Sequence, residues 1–156
     1  LQEQINTLRD ALHETRQTIQ QLRSPETVDL HQFVKQTAER VAQNLNAQLH
    51  CNCPKAMPNL TPLQRLMLMR VMQEALSNIM KHASSPQNLW VECVPQDRWL
   101  TIRIADDGNG FDPHAALQGV GLISMRDRIH ALGGELHIQS TIGQGTTIIA
   151  RIPLQG

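Results

Sequence analysis

Apolar residues recur along the first part of the chain at Leu1, Ile5, Leu8, Leu12, Ile19 and Leu22, with Thr15 completing an alternating four-three spacing. That spacing predicts a helix with a narrow coiled-coil seam, which buries itself only against other helices. Ser24-Pro25 ends the pattern, because the residue before proline is biased away from helical geometry. A second amphipathic helix is expected from Leu30 to Asn46, with Phe33, Val34, Thr37, Ala38, Val41 and Leu45 on one side. Gln48 to Cys53 reads as a strand. Thr61-Pro62 opens a third helix, running to Ala83, with Thr61 as N-cap and Pro62 at the first helical position.

The second half changes period. Asn88 to Val94 and Trp99 to Ala105 alternate as strands, joined by a turn at Pro95-Gln96-Asp97. A helix from Ile123 to Leu132 stops at Gly133-Gly134. Two strands, Glu135 to Ser140 and Thr146 to Ile152, flank Ile142-Gly143-Gln144-Gly145. Helices and antiparallel strands in separate runs predict an α+β fold, a layer of helices on one face of a mixed sheet.

Composition narrows the function. The 156 residues suit one domain with a short appendage, and the formal charge is zero. Neither a nucleic-acid duplex nor an anionic membrane is attracted by bulk charge, so any phosphate must be bound locally. No apolar run reaches the ~20 residues of a membrane helix. The start at Leu1, without Met, leads to the expectation of a fragment whose parent carries membrane segments elsewhere. Three cysteines, Cys51, Cys53 and Cys93, fit a reducing compartment. Cys51-x-Cys53 beside His50 lacks a second ligand pair and reads as partly buried thiols rather than a metal site.

Candidate chemistry lies in four blocks. Glu74 and Asn78 stand one turn apart on the third helix, with Lys81 and His82 continuing that face. A carboxamide oxygen there can ligate Mg²⁺, and a carboxylate can orient or deprotonate a nucleophile. Asp106-Asp107-Gly108-Asn109-Gly110-Phe111 follows a strand, and an acid fixed at a strand end can accept a hydrogen bond from an exocyclic amine such as that of adenine. Gly119-Val120-Gly121-Leu122 opens a helix whose amides can cradle a polyphosphate. Gly143-Gln144-Gly145-Thr146 is a further glycine turn with hydroxyls beside it. Neither glycine cluster has the Gly-Lys-Ser/Thr of a P-loop.

In this order the blocks resemble the N, G1, G2 and G3 boxes of the GHKL ATPases, over residues 29 to 153. The wording Glu74-Ala75-Leu76-Ser77-Asn78-Ile79-Met80-Lys81-His82-Ala83, with Gly121-Leu122 leading to Met125-Arg126-Asp127-Arg128, is similar to the nitrate-sensor and desaturase-regulator subclass of two-component sensor histidine kinases. The resemblance implies a Bergerat-type sandwich that binds ATP and Mg²⁺. It implies Mg²⁺ ligation by Asn78, activation of the phosphoacceptor by Glu74, and reading of the adenine amino group by Asp106. Gly108 and Gly110 would shape the nucleotide pocket, and Gly119, Gly121, Leu122, Gly143, Gly145 and Thr146 would border the phosphates, with Lys81 and His82 nearby. Asp107 stands where the family often has Asn, and Asp112 to Gln118 would form a short ATP lid.

The resemblance further implies phosphorylation of a histidine, onward transfer to a response-regulator aspartate, and a homodimer through the N-terminal helix. Residues 1–24 are then expected to be the second helix of a dimerisation hairpin, and 25–156 the ATP-binding domain. The phosphoacceptor is expected upstream of Leu1, because only a short stretch of helix follows His13 before Ser24-Pro25. The expected place is the cytoplasmic side of an inner-membrane sensor. An anti-sigma-type serine kinase and a nonenzymatic nucleotide-binding module are the alternatives.

Overall fold

A computed structural model describes residues 2–23, 29–112 and 120–155, with the side chains of 13–23 and 120 excluded. Its elements are α1 (Gln2–Arg23), α2 (Leu30–Leu45), β1 (Gln48–Asn52), α3 (Pro62–His82), β2 (Asn88–Gln96), β3 (Trp99–Asp106), α4 (Val120–Ala131), β4 (Glu135–Thr141) and β5 (Gly145–Pro153). The five strands form one mixed sheet in the order β1-β2-β3-β5-β4, with β1 and β2 parallel and the other neighbours antiparallel. This is the expected α+β architecture.

Local chemistry explains the helix ends. Asp29 accepts from the backbone N–H groups of His31 and Gln32 at the start of α2, and Asn46 closes it in the left-handed region at φ 53°. Thr61 and Gln64 form a reciprocal capping box at α3, and Gln64 Nε2 also donates to the Pro153 carbonyl at 2.8 Å. That bond ties the start of α3 to the end of β5. Gly133, at φ 75°, and Gly134 return their N–H groups to His130 and Ile129 and stop α4.

One sheet face buries Leu89, Val91, Leu100, Ile102, Ile104, Ile148, Ala150 and Ile152. Against it pack Val34, Ala38 and Val41 of α2, Leu68, Met69, Met72 and Leu76 of α3, and Met125 and Ile129 of α4. Trp90, Glu92, Trp99 and Arg103 alternate onto the other face and are partly exposed. Burying such aliphatic side chains contributes about 1.5–3 kcal/mol each. The methionines at 69 and 72 are core, as the helix pattern implies.

Two boundaries and one exposure differ from the sequence reading. The β2–β3 turn sits at Asp97-Arg98, with Asp97 at φ 56°, while Pro95 and Gln96 pair with Leu100 and Trp99 inside the ladder. Pro95 is tolerated there because the pair next to the turn-closing one directs its nitrogen away from β3. On that side β1 has already ended at Asn52, opposite Glu92. Helix α4 begins at Val120, so Gly121 and Leu122 belong to its first turn. Cys51 is exposed, not partly buried, because it lies on the edge strand. In α1, Ile5, Leu8 and Leu12 are exposed, so the described part of the apolar seam stays uncovered. Ser24-Pro25 lies outside the described residues.

Candidate nucleotide site

The sequence blocks converge where α3, the end of β3, the start of α4 and the start of β5 meet. A cavity of about 400 Å³ opens there. Its size falls within the roughly 300–1,000 Å³ of small-molecule sites. Asn78 and His82 reach it from α3, and Asp106 and Gly110 from the β3 end. Gly121 and Leu122 line it from α4, and Thr146 from β5.

Asp106 is the buried acid of this wall, with only 5% of its surface exposed. Its Oδ1 accepts the Gly108 N–H at 2.8 Å. Burial pushes the carboxyl above its ordinary range; the Gly108 bond opposes the rise, and the neighbouring Asp107 charge adds to it. With Oδ1 engaged, Oδ2 is the oxygen left for a ligand donor. A carboxylate held half-satisfied against a cavity wall suits recognition of an amine.

Asp107 points elsewhere. Its Oδ1 accepts from the backbone N–H groups of Gln87 and Asn88, both at 2.8 Å, and its Oδ2 from Asn88 Nδ2 at 2.9 Å. Desolvation raises this carboxyl, yet the bonds from Asn88 and Gln87 outweigh it and hold the group below its ordinary value. Asp107 therefore pins the turn after β3 to the start of β2, leaving Asp106 to face the cavity.

The glycines act by letting neighbours approach. A Cβ at Gly145, where φ is 89°, would overlap the Asp106 carbonyl oxygen. At Gly110, with φ 62°, it would overlap the Thr141 carbonyl oxygen, and at Gly121 it would overlap Glu74 Oε1. Gly108 would meet Asp106 Oδ1 at 2.9 Å and the Ala83 Cβ at 3.1 Å. Gly143 differs: its φ is 84°, but nothing lies within 4 Å of a Cβ there. Backbone and hydroxyl bonds knit the turns together, with Gly143 N–H donating to the Asn109 carbonyl at 2.6 Å and Ser140 Oγ lying 2.8 Å from Thr146 Oγ1.

Several sequence candidates stand off the cavity. Glu74, Lys81, Gly108, Gly143 and Gly145 do not line it. Glu74 instead lies against Gly121 at the first turn of α4, and Lys81 is exposed on α3. Gly119 and the expected lid, Asp112 to Gln118, lie outside the described residues except for Asp112, which is exposed. Sequence reasoning had placed Ala75, Ile79, Ala83, Asn109, Phe111 and Ile148 in or beside these blocks without assigning them to the site; all six line the cavity. The five apart from Asn109 are apolar, which suits a flat ring against the wall. A signal was present, because Ala75, Ile79 and Ala83 follow the same helical face as Asn78 and His82. Asn109 also accepts the Ser84 N–H at 3.0 Å, which fastens the end of α3 to the glycine turn. Among the described residues no cluster of three metal-ligating His, Cys, Asp or Glu side chains exists.

A single helical layer over a mixed sheet, opening a cavity beside a strand-end carboxylate, is the architecture of an ATPase domain of the Bergerat type. Residues 64–156 match the model of the histidine kinase-, DNA gyrase B-, and HSP90-like ATPase family, and the chain belongs to that family. It is 43% identical over 94 residues to the signal transduction histidine-protein kinase/phosphatase UhpB of Salmonella typhimurium, covering 60% of this chain and 18% of that protein. To the sensor histidine kinase YhcY of Bacillus subtilis it is 37% identical over 103 residues, covering 65% and 27%. The chain thus spans about a quarter or less of these relatives. In fold it is similar to the blue-light activated histidine kinase EL346 of Erythrobacter litoralis, with a TM-score of 0.76 at 18% identity, covering 95% of this chain and 50% of that one. The mycobacterial sensor histidine kinase MprB aligns at a TM-score of 0.63 and 19% identity, covering 81% and 95%. At such identities the likeness concerns the fold. The domain is of the ATP-binding kind found in histidine kinases.

Proposed function

We propose that the chain binds Mg-ATP in the cavity beside Asp106 and supplies the γ-phosphate for phosphorylation of a histidine on a dimerisation domain. Onward transfer to a response-regulator aspartate would follow, as in two-component signalling. The observation that carries this reading is the buried Asp106 carboxylate, held through Oδ1 by Gly108 and lining a cavity whose other residues, Ile148 apart, come from the N, G1, G2 and G3 blocks. Its free oxygen accepts the adenine amino group. The donor set fits Mg²⁺ as well, since Asn78 brings a carboxamide oxygen to the cavity and Thr146 a hydroxyl. Asn78 would hold the ion, which when bound neutralises polyphosphate charge.

Glu74 serves the phosphoacceptor rather than the nucleotide. It sits one helical turn before Asn78 and outside the cavity lining, against the first turn of α4. From there its carboxylate takes or orients the proton of an incoming imidazole. Residues 1–24 form the second helix of a dimerisation hairpin. The exposed Ile5, Leu8 and Leu12 support this, because an apolar seam left bare by its own domain pairs with another copy. The sequence similarity to YhcY and UhpB is compatible with the nitrate-sensor and desaturase-regulator subclass, and supports reading the parent as an inner-membrane sensor with this domain in the cytoplasm. Among the described residues no helix is long and apolar enough to cross a membrane.

Calorimetric titration of the chain with Mg-ATP, alongside Asp106→Asn, tests the nucleotide reading. Saturable binding that the substitution abolishes or greatly weakens is expected; no binding by either protein overturns it. Incubation with labelled ATP separates the phosphoacceptor question. The chain is expected to remain unlabelled, and base-resistant label lost in His13→Gln would place the acceptor within it.

A further inference from the structure

Away from the nucleotide cavity, β1 and β2 bring three cysteines to one end of the sheet. Cys51 is exposed, Cys53 is half-buried and Cys93 is buried in the core. The parallel ladder ends with Asn52 opposite Glu92, so Cys53 faces Cys93 one step further on. Their sulfurs stand 2.8 Å apart. Neighbouring strands are spaced about 4.8 Å apart, inside the roughly 4.4–6.8 Å of Cα separation that a disulfide spans.

We propose that Cys53 and Cys93 are a modification site, an oxidisable pair that a low-molecular-weight disulfide converts to an intrachain cystine. The Cys53 thiolate attacks one sulfur of the reagent, expelling one reduced thiol. Cys93 gives up its proton and attacks Cys53 Sγ, expelling the second. Two cysteine thiols are oxidised, one reagent disulfide is reduced to two thiols, and no other reactant is needed. Cys53 is the entry point because it is partly open to solvent, and Cys93 is the resolving thiol because it already touches Cys53.

The surroundings set the rate. Although Cys51 is exposed as a residue, partial desolvation of its thiol pushes it up to about 11, with Cys53 next, Glu39 of α2 adding to the rise and Lys35 opposing it. Cys53 is raised further, chiefly by its hydrogen bond to Cys93 and then by burial. Thiolate is the attacking species, so exchange is slow at neutral pH and accelerates about tenfold per pH unit below the thiol range. The pair thus stays reduced through brief exposure and responds to sustained oxidation. Once formed, the bond closes the loop from Cys53 to Cys93, which contains the whole of α3 with Glu74 and Asn78. It fastens the five-residue edge strand β1 to the sheet interior. The proposal does not depend on the nucleotide reading.

The test uses the whole chain with excess glutathione disulfide at pH 8.5, followed by alkylation in denaturant and non-reducing peptide mass spectrometry. The expected result is a Cys53–Cys93 cross-link lighter by two hydrogens, with Cys51 outside it as an alkylated thiol or a glutathione adduct, and a Tm raised by roughly 5–10 °C that dithiothreitol reverses. Cys51→Ser should give the same bond, and Cys93→Ser should stop at a glutathione adduct. Three free thiols after prolonged incubation, a bond joining Cys51 to Cys53 or Cys93, or a persistent glutathione adduct on Cys53 in the parent chain would each overturn the proposal.

Discussion

Asp106→Asn is the substitution that discriminates best, because Asn is isosteric and the surroundings dictate its orientation. One side-chain oxygen of residue 106 must go on accepting the Gly108 N–H, which is buried with it. An Asn therefore turns its oxygen toward Gly108 and its NH₂ toward the cavity, where the adenine amine is also a donor. The loss is a hydrogen bond to a charged acceptor, about 1.5–3 kcal/mol, which corresponds to a roughly 10- to 150-fold rise in Kd for Mg-ATP. Guanine presents a carbonyl where adenine presents the amine, so the variant should lose less affinity for GTP and shift its preference toward it. Stability should move the other way. Burial raises the Asp106 carboxyl, so its contribution to folding is greatest at low pH and is lost as pH rises through that raised value. Removing the charge should leave the Tm at neutral pH unchanged or higher. Nucleotide affinity in the parent chain should also fall on acidification earlier than an ordinary aspartate, near 3.9, would cause. Titration calorimetry with both nucleotides, repeated at acid pH, beside a melting curve, reads all four. Mg-ATP binding within twofold of the parent, with the same nucleotide preference, would refute the assignment of Asp106.

Four further outcomes follow from the same geometry. Gly145→Ala combines a φ of 89° with overlap of the Asp106 carbonyl, whereas Gly143→Ala meets strain at φ 84° and open space; the first should cost about 3 kcal/mol or more and the second about 1, separable as Tm losses by calorimetry. Gly121→Ala should destabilise by about 1–3 kcal/mol through contact with Glu74, and Glu74→Ala in the same chain should recover most of that loss in a double-mutant cycle. In a full-length parent kinase, Glu74→Gln should slow histidine phosphorylation by about 10²-fold or more while the Kd for Mg-ATP stays within twofold. Asp107, held below its ordinary value by Asn88 and Gln87, stabilises the fold above the unfolded pKa near 3.8 and loses that contribution as pH falls through the lower folded value; Asp107→Asn should flatten this acid limb of a denaturation profile between pH 2 and 5.

The fold was readable wherever local chemistry and periodicity agreed. The box at Thr61 and Gln64, the apolar stripe of α2 and the Gly133-Gly134 exit each act within a few residues, so spacing alone reveals them. What spacing could not reveal was decided by neighbours distant in sequence. Pro95 reads as a turn residue until β1 is known to end at Asn52, which frees that side of β2 and lets the proline stay in the ladder. Nor does any local pattern place Cys93 against Cys53, forty residues apart, since their meeting depends on the β1–β2 register.

The site shows the same division. Four short blocks point to one pocket because each needs its own residue types, yet what each residue does there depends on its partners in space. Asp106 and Asp107 are adjacent and chemically identical, but β3 ends between them: one carboxylate is buried at the cavity and raised, the other faces Gln87 and Asn88 and is lowered. The glycines divide likewise. Gly145 and Gly143 share one turn and one left-handed backbone, but only Gly145 lies against the Asp106 carbonyl. Composition at a turn therefore identifies where a ligand can come close. Which atom receives it follows from the hydrogen bonds already taken, and at Asp106 the bond from Gly108 leaves one oxygen open.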